Sequence, residues 1–107
     1  GLILGKLGES MTIDQGAEAA KFCAINLLAQ VKSACAGDLD KLVRVIKITG
    51  FVNSMPDFTQ QPQVINGASD LMGNVLGEAG KHARVAVSAN SLPLGVAVEI
   101  DGIFQIA

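Results

Sequence analysis

The sequence has few aromatic residues, and this limits what its core can be made of. Four of the 107 residues are Phe and none is Trp or Tyr, although half of the chain is hydrophobic. The core must therefore consist of Val, Ile, Leu, Ala and Met, which leaves few platforms for stacking a planar ligand. A chain of this length is sufficient for one domain with a single core.

Blocks of positive charge and long apolar runs are also missing. The net charge is −2, and no segment rich in Lys and Arg is present to follow a phosphate backbone. Nucleic acid is therefore not the expected partner. No apolar run approaches the roughly 20 residues that cross a bilayer, and no secretory signal opens the sequence. We expect a cytoplasmic protein without a membrane partner.

Cysteine and histidine are too few and too scattered to form a metal site. Cys23 and Cys35 fall in one predicted helix, about 18 Å apart at 1.5 Å per residue, so they cannot form a disulfide. We expect both to be core residues in a reducing compartment. His82 stands alone, without a Cys, His or Asp cluster at metal spacing. The sequence predicts no metal, no cofactor and no catalytic role for His82.

Two amphipathic helices are predicted. Thr12 and Gln15 are spaced as a capping box, which places the start of the first helix. The second helix is predicted to cap at Thr59, because Pro62 then falls in the first turn, where its missing N–H costs nothing. The predicted buried positions are, in the first helix, Ala20, Ala24, Leu27, Val31 and Ala34, and in the second, Val64, Ala68, Leu71 and Val75.

The strand pattern predicts an α+β fold. Residues 43–53 are rich in β-branched side chains on both faces, as in a central strand. Residues 83–89 and 96–106 are joined by the turn-forming segment 90–95, which favours a hairpin. With an extended segment at 1–7, the order is strand, helix, strand, helix, strand, strand. A small sheet with two helices on one face leaves its other face bare, and this favours self-association.

The predicted hairpin brings together the side chains with the clearest chemical potential. In its register Arg84 faces Asp101 and Ala86 faces Glu99, so that Arg84 and Glu99 lie diagonally on one face, roughly 7 Å apart. A guanidinium fork beside a carboxylate can hold a small acid and position a water. The alternative is an ordinary ion-pair cluster of Arg84, Glu99 and Asp101, which contributes little when exposed.

Segment 82–100, HARVAVSANSLPLGVAVEI, resembles the signature of the RidA/YjgF family. It combines a small residue and Arg, a short apolar strand, Leu-Pro and Val-Glu-Ile, with fifteen residues from Arg84 to Glu99. The resemblance extends through residues 51–58 and 15–42 and so covers nearly the whole chain. It implies a chorismate-mutase-like fold that assembles as a homotrimer, in the branch known as endoribonucleases or translation inhibitors.

The resemblance also implies a chemistry. In the family the Arg, here Arg84, clamps the carboxylate of a 2-imino, enamino or 2-oxo acid, and the Glu, here Glu99, orients a water that releases keto acid and ammonia. The backbone at Val85 and Ala86 would stabilise the tetrahedral centre. The remaining predicted pocket residues are Phe58, which would line the cleft, and Asn66, which would add a polar contact.

Two departures from the family keep other functions open. Imine deaminases carry Cys where this chain has Ala86, which favours a non-catalytic, metabolite-binding trimer as the alternative. An endoribonuclease is the third hypothesis, and the acidic composition disfavours it. The family pattern also begins with two further strands that supply hydroxyl-bearing pocket residues. We therefore expect residues 1–107 to form a single domain that lacks those two strands.

Overall fold

The computed structural model describes residues 2–107. Two helices cover one face of a three-stranded sheet with the strand order β2-β1-β3. Short 3-10 turns at Leu39–Lys41, Gly77–Gly80 and Pro93–Gly95 connect them. The main elements in chain order are α1 (Ile13–Ala34), β1 (Leu42–Asn53), α2 (Gln61–Leu76), β2 (Ala83–Ala89) and β3 (Val98–Ile106).

The first helix begins where the sequence predicts. The Thr12 hydroxyl accepts a hydrogen bond from the Gln15 N–H at 3.2 Å, and the Gln15 side chain accepts one from the Thr12 N–H at 2.9 Å. This reciprocal pair confirms the capping box. Two of the predicted buried positions differ, because Leu27 is half-buried and Ala34 is exposed at the last residue of the helix.

The second helix starts slightly later than predicted and is rotated relative to the predicted stripe. Its N-cap is Gln60 rather than Thr59, and Pro62 lies in the first turn as expected. Val75, predicted to be buried, is 52% exposed. The side of the helix that faces the sheet and α1 instead carries Val64, Ile65, Ala68 and Met72. Ile65 packs over Gly50 of β1, where a Cβ would stand 2.4 Å from its Cδ1.

The predicted hairpin between the last two strands is wrong. β1 is central as expected, but β2 pairs with it in parallel and β3 pairs with its other edge in antiparallel. α2 carries the chain back along the sheet between β1 and β2, so β2 runs in the same direction as β1 and pairs with it in parallel, and β3 takes the other edge of β1. Segment 90–95 therefore carries the chain from one edge of the sheet to the other.

The extended segment predicted at the beginning of the chain is reduced to isolated bridges. Leu4 forms an antiparallel bridge with Val96, and Leu7 forms a parallel bridge with Ser54. Leu7 is fully buried and its backbone bonds both Asn53 and Met55, so it belongs to the core. Residue 1 lies outside the described residues.

The sheet has a helix-covered face and an open face. Gly50 contacts α2, so its neighbours in the alternation, Ile48 and Val52, also point toward the helices. Residues paired with them across the sheet share that face, while the partners of Thr49 and Phe51 share the open face. The open face thus carries exposed apolar side chains, among them Val85 at 38%, Val87 at 39% and Ile103 at 59% exposure.

The two helices approach so closely that one contact admits only glycine. A Cβ on Gly67 of α2 would stand 2.0 Å from the carbonyl oxygen of Ala17 in α1, whereas a Cβ on Gly73 of the same helix meets nothing within 4 Å. We expect Gly67→Ala to lower the free energy of unfolding by at least about 2 kcal/mol, because one helix must move. Gly73→Ala should raise it by up to about 1 kcal/mol through helix propensity.

Urea unfolding of the two variants and the unaltered chain measures both effects. The pair is matched, since each variant adds one methyl group to the same helix. If Gly67→Ala is as stable as Gly73→Ala, the close contact between the helices is wrong.

Candidate functional site

Arg84 lies on the helix-covered face of β2, and α2 holds its guanidinium. It pairs across the sheet with the buried Ile48, so its side chain points toward the helices. Nη1 donates to Asn66 Oδ1 at 2.8 Å and to Ser69 Oγ at 3.2 Å, and Nη2 approaches the Pro62 carbonyl oxygen at 3.4 Å. The acceptors follow one side of α2 at intervals of four and three residues.

These contacts leave part of the Arg84 guanidinium available. They use both N–H groups of Nη1 and one of Nη2, whereas the Nε N–H and the second Nη2 N–H have no acceptor among residues 2–107. An arginine presents parallel N–H groups that match the two oxygens of a carboxylate. The side chain is half-buried, so a ligand can reach it. At this edge of the sheet, Arg84 is therefore held in a position from which two of its N–H groups can bind an anion.

Ser69 also connects Arg84 to His82. Ser69 Oγ lies 2.9 Å from Nε2 of His82, and Nδ1 of the same ring lies within hydrogen-bonding distance of the Gly80 carbonyl oxygen. The sequence reasoning missed this contact. Ser69 stands three residues after Asn66 and thus on the same side of α2, which was the available signal. Nothing in the sequence showed that His82 faces that side.

Glu99 lies on the opposite edge and the opposite face of the sheet. Its partner is Phe51 on the open face, while Arg84 is on the helix-covered face of the other edge strand. Two strand spacings of about 4.8 Å separate β2 from β3. The predicted diagonal arrangement of Arg84 and Glu99 on one face is therefore wrong, and so is the hairpin register that placed Asp101 opposite Arg84.

The same topology excludes the alternative ion-pair cluster within one chain. Asp101 pairs with Thr49 on the open face. In the described part of the chain the salt bridge is that of Lys81 and Glu78, 3.0 Å apart and exposed to solvent. Arg84 is thus held by neutral acceptors and pairs with no carboxylate among residues 2–107.

The other predicted site residues are placed differently from one another. Asn66 contacts Arg84 directly. Ala86 shares the face of Arg84, opposite Gly50, whereas the Val85 side chain points to the open face. Phe58 lies in the turn before α2, packed against the core and close to Gly8. The structure therefore brings Asn66 and Ala86 toward Arg84.

Cys23 of α1 and Glu99 lie together at the other edge of the sheet, where they line one cleft. The half-buried thiol faces the carbonyl oxygen of Val98 at 3.6 Å. Burial, and to a lesser extent the negative charge of Glu99, raises the pKa of Cys23 above its ordinary value of 9.0. Cys23 therefore stays protonated at neutral pH and is a weak nucleophile.

Neither a metal cluster nor a spanning helix is found in the described chain. Among residues 2–107, no three His, Cys, Asp or Glu side chains come together to hold a metal ion. None of the helices there has the length and apolarity needed to cross a membrane.

The fold is of the α+β class. It consists of a parallel strand-helix-strand unit extended by an antiparallel strand, with both helices on one face and Arg84 at an edge. The chain belongs to the YjgF family, because the family model described as "YjgF/chorismate_mutase-like, putative endoribonuclease" matches residues 1–102. This match confirms the resemblance carried by segment 82–100.

Individual relatives agree with that assignment. The chain is 48% identical to protein TCP17 of Trypanosoma cruzi over 107 residues, which is 99% of the chain and 66% of that protein. It superimposes with a TM-score of 0.97 on the protein Atu1372, of unknown function, from Agrobacterium tumefaciens, at 51% identity over 98% of the chain and 67% of that structure. The TM-score is 0.93 for a "putative endoribonuclease" from Shewanella oneidensis MR-1, at 30% identity over 98% and 69%. The chain thus spans about two thirds of these relatives.

The environment of Cys23 makes a prediction about its reactivity. In a Cys35→Ser variant, alkylation of Cys23 by iodoacetamide at about pH 8 should be slower than that of a free cysteine. Its rate should rise with a midpoint at a higher pH than that of a free cysteine. Glu99→Gln should lower that midpoint slightly, because burial is the larger cause. A midpoint below that of free cysteine would contradict the description of this site.

The raised pKa of Cys23 also makes the free energy of unfolding depend on pH. The pKa of the Cys23 thiol is higher in the folded than in the unfolded protein. Its contribution to stability is therefore fully present at pH values below the unfolded pKa. The contribution is lost as the pH rises through the folded pKa.

Proposed function

We propose that this protein binds small 2-oxo, 2-imino or enamino acids in clefts between the subunits of a homotrimer. The observation that carries the proposal is the fork of Arg84, with one side fixed on α2 and an Nε and an Nη2 N–H left for a ligand. A carboxylate fits this fork with two charge-assisted hydrogen bonds. Membership of the YjgF family supports the same class of site.

The position of Glu99 supports a cleft shared by two subunits. Arg84 and Glu99 lie on opposite edges and faces of one sheet, so a single chain cannot direct both at one small ligand. In a cyclic trimer each cleft could receive Arg84 from one subunit and Glu99 from its neighbour. The apolar open face around Val85, Val87 and Ile103 provides a surface for that association.

In such a cleft the reaction is hydrolysis of an imine such as 2-iminobutanoate or 2-iminopropanoate. Arg84 holds the carboxylate, and the Glu99 carboxylate accepts a proton from a water while the water oxygen bonds to the imine carbon. The C=N π electrons pass to nitrogen, which takes up a proton. In the collapse of the tetrahedral centre the hydroxyl proton passes to the amine nitrogen, the keto group forms and the C–N bond breaks, releasing ammonia. On the edge strand β2 the N–H groups of Val85 and Ala86 point to opposite edges, and the one that points away from β1 would stabilise that centre.

A non-catalytic trimer that binds the same carboxylates is the second candidate. Ala86 supports it, because a methyl group beside the fork supplies no chemistry to the ligand. Release of ammonia from a freshly generated imino acid distinguishes the two. An endoribonuclease, the description carried by the family and one relative, gains no support from a chain of net charge −2. A cytoplasmic location stays a prediction.

We expect the chain to sediment as a trimer at micromolar concentration. Val87→Glu should shift it toward monomers, because a charge would be buried against the apolar open face of a neighbour. A matched control is Val75→Glu on the solvent side of α2, which should leave the trimer unchanged. A wild-type monomer would contradict the assembly.

Arg84→Lys should weaken the binding of pyruvate, used as a probe of 2-oxo acids, by at least about tenfold, or 1.4 kcal/mol. An ammonium keeps the charge but does not reproduce the fork. Glu99→Gln should spare binding and abolish hydrolysis, because its amide cannot accept the proton from water. Calorimetry measures the first effect and ammonia release the second. Unchanged affinity in an intact Arg84→Lys trimer would disprove the clamp.

Mixing two inactive variants tests whether the cleft is shared. When Arg84→Ala and Glu99→Gln chains are refolded together in equal amounts, about a quarter of the clefts should combine an intact Arg84 and an intact Glu99 from different subunits. Hydrolysis should return to about that fraction of the wild-type rate. If the two groups acted within one chain, no activity would return.

A further inference from the structure

Ser69 and His82 have no part in the proposed chemistry, yet a continuous series of hydrogen bonds connects them to Arg84. Arg84 Nη1 lies 3.2 Å from Ser69 Oγ, and that oxygen lies 2.9 Å from His82 Nε2. The other ring nitrogen meets the carbonyl oxygen of Gly80. Ser69, His82 and Arg84 are all half-buried.

The direction of each of these hydrogen bonds follows from which groups can donate. The Gly80 carbonyl can only accept, so His82 must carry its proton on Nδ1. In the neutral ring Nε2 is then an acceptor, and the Ser69 hydroxyl donates to it. Arg84 has no acceptor, so it donates to the lone pairs of Ser69. With a neutral ring, one arrangement satisfies every member, and it runs from Arg84 through Ser69 and His82 to Gly80.

This arrangement determines how Arg84 is presented. Because the Ser69 proton is committed to His82, its oxygen is free to accept from Nη1 of Arg84. Asn66 accepts the second Nη1 N–H. With both acceptors in place the guanidinium cannot rotate without losing bonds, and the Nε N–H and the second Nη2 N–H keep no acceptor among residues 2–107.

We propose that Ser69 and His82 are positioning residues that orient the Arg84 fork for a carboxylate ligand. The inference rests on the proposed function, which assigns Arg84 to the ligand. A nucleophilic role for Ser69 is less consistent with the geometry, because its oxygen already accepts from a cation and is thereby less able to attack carbon.

The test compares Ser69→Ala, which removes the hydroxyl, with Ser69→Thr, which keeps it. ¹⁵N NMR of the Arg84 side chain reports rotation of the guanidinium, and calorimetry with pyruvate reports binding. In the wild type and in Ser69→Thr we expect slow rotation, with separate signals for the two Nη groups. In Ser69→Ala the rotation should be fast, and pyruvate should bind about three- to tenfold more weakly.

Two controls separate positioning from general loss of structure. Ser33→Ala removes an exposed serine from α1 and should change neither readout. In ¹⁵N spectra the neutral ring of His82 should show its proton on Nδ1. His82→Gln, whose amide oxygen can still accept from Ser69, should preserve more of the slow rotation than His82→Phe.

The outcomes also separate this inference from the proposed function. If wild-type pyruvate binding is absent while Ser69→Ala accelerates the Arg84 rotation, the positioning role survives and the proposed ligand is wrong. If the Arg84 signals are the same in Ser69→Ala and the wild type, or His82 carries its proton on Nε2, the positioning role is overturned.

Discussion

The pairing of β1 on both of its edges determines where every candidate side chain of this protein lies. Because β2 and β3 flank the same strand, the polar groups they carry are separated by its full width. The alternation of β1 then assigns Arg84 to the helix-covered face and Glu99 to the open face. A change in that one pairing would rearrange the candidate site without changing any residue in it.

Arg84 illustrates how a strand and a helix can divide the work of building a site. The strand supplies the cation at an edge, where the backbone beside it is free to meet a ligand. The helix supplies acceptors from successive turns, and these neutral groups fix the guanidinium without neutralising its charge. Held by a carboxylate instead, the same side chain would have a weaker attraction for an anionic ligand.

Much of the local structure could be predicted from the sequence, because local signals decide it. The capping box at Thr12 fixes a helix start through atoms only three residues apart. The β-branched residues on both faces of residues 43–53 marked the central strand. The rotation of α2 was less visible, because Gly67 and Gly73 leave its apolar stripe poorly defined, and packing against α1 decides which side is buried.

Strand pairing is where the sequence was insufficient. The turn-forming residues 90–95 show that the chain changes direction, but composition does not say which strand it returns to. Partner choice depends on the crossover through α2, a relation between segments far apart in sequence. The contact of Ser69 with His82 was hidden for a similar reason, since it joins a helix to the residue just before the next strand.

The close contact between α1 and α2 limits how the two helices can move relative to each other. At Gly67 the helix backbones touch without an intervening side chain, so the two helices have little freedom to slide independently. One of them flanks the edge that carries Glu99, and the other holds Arg84 at the far edge. A displacement of α1 would therefore also shift α2, and with it the acceptors of Arg84.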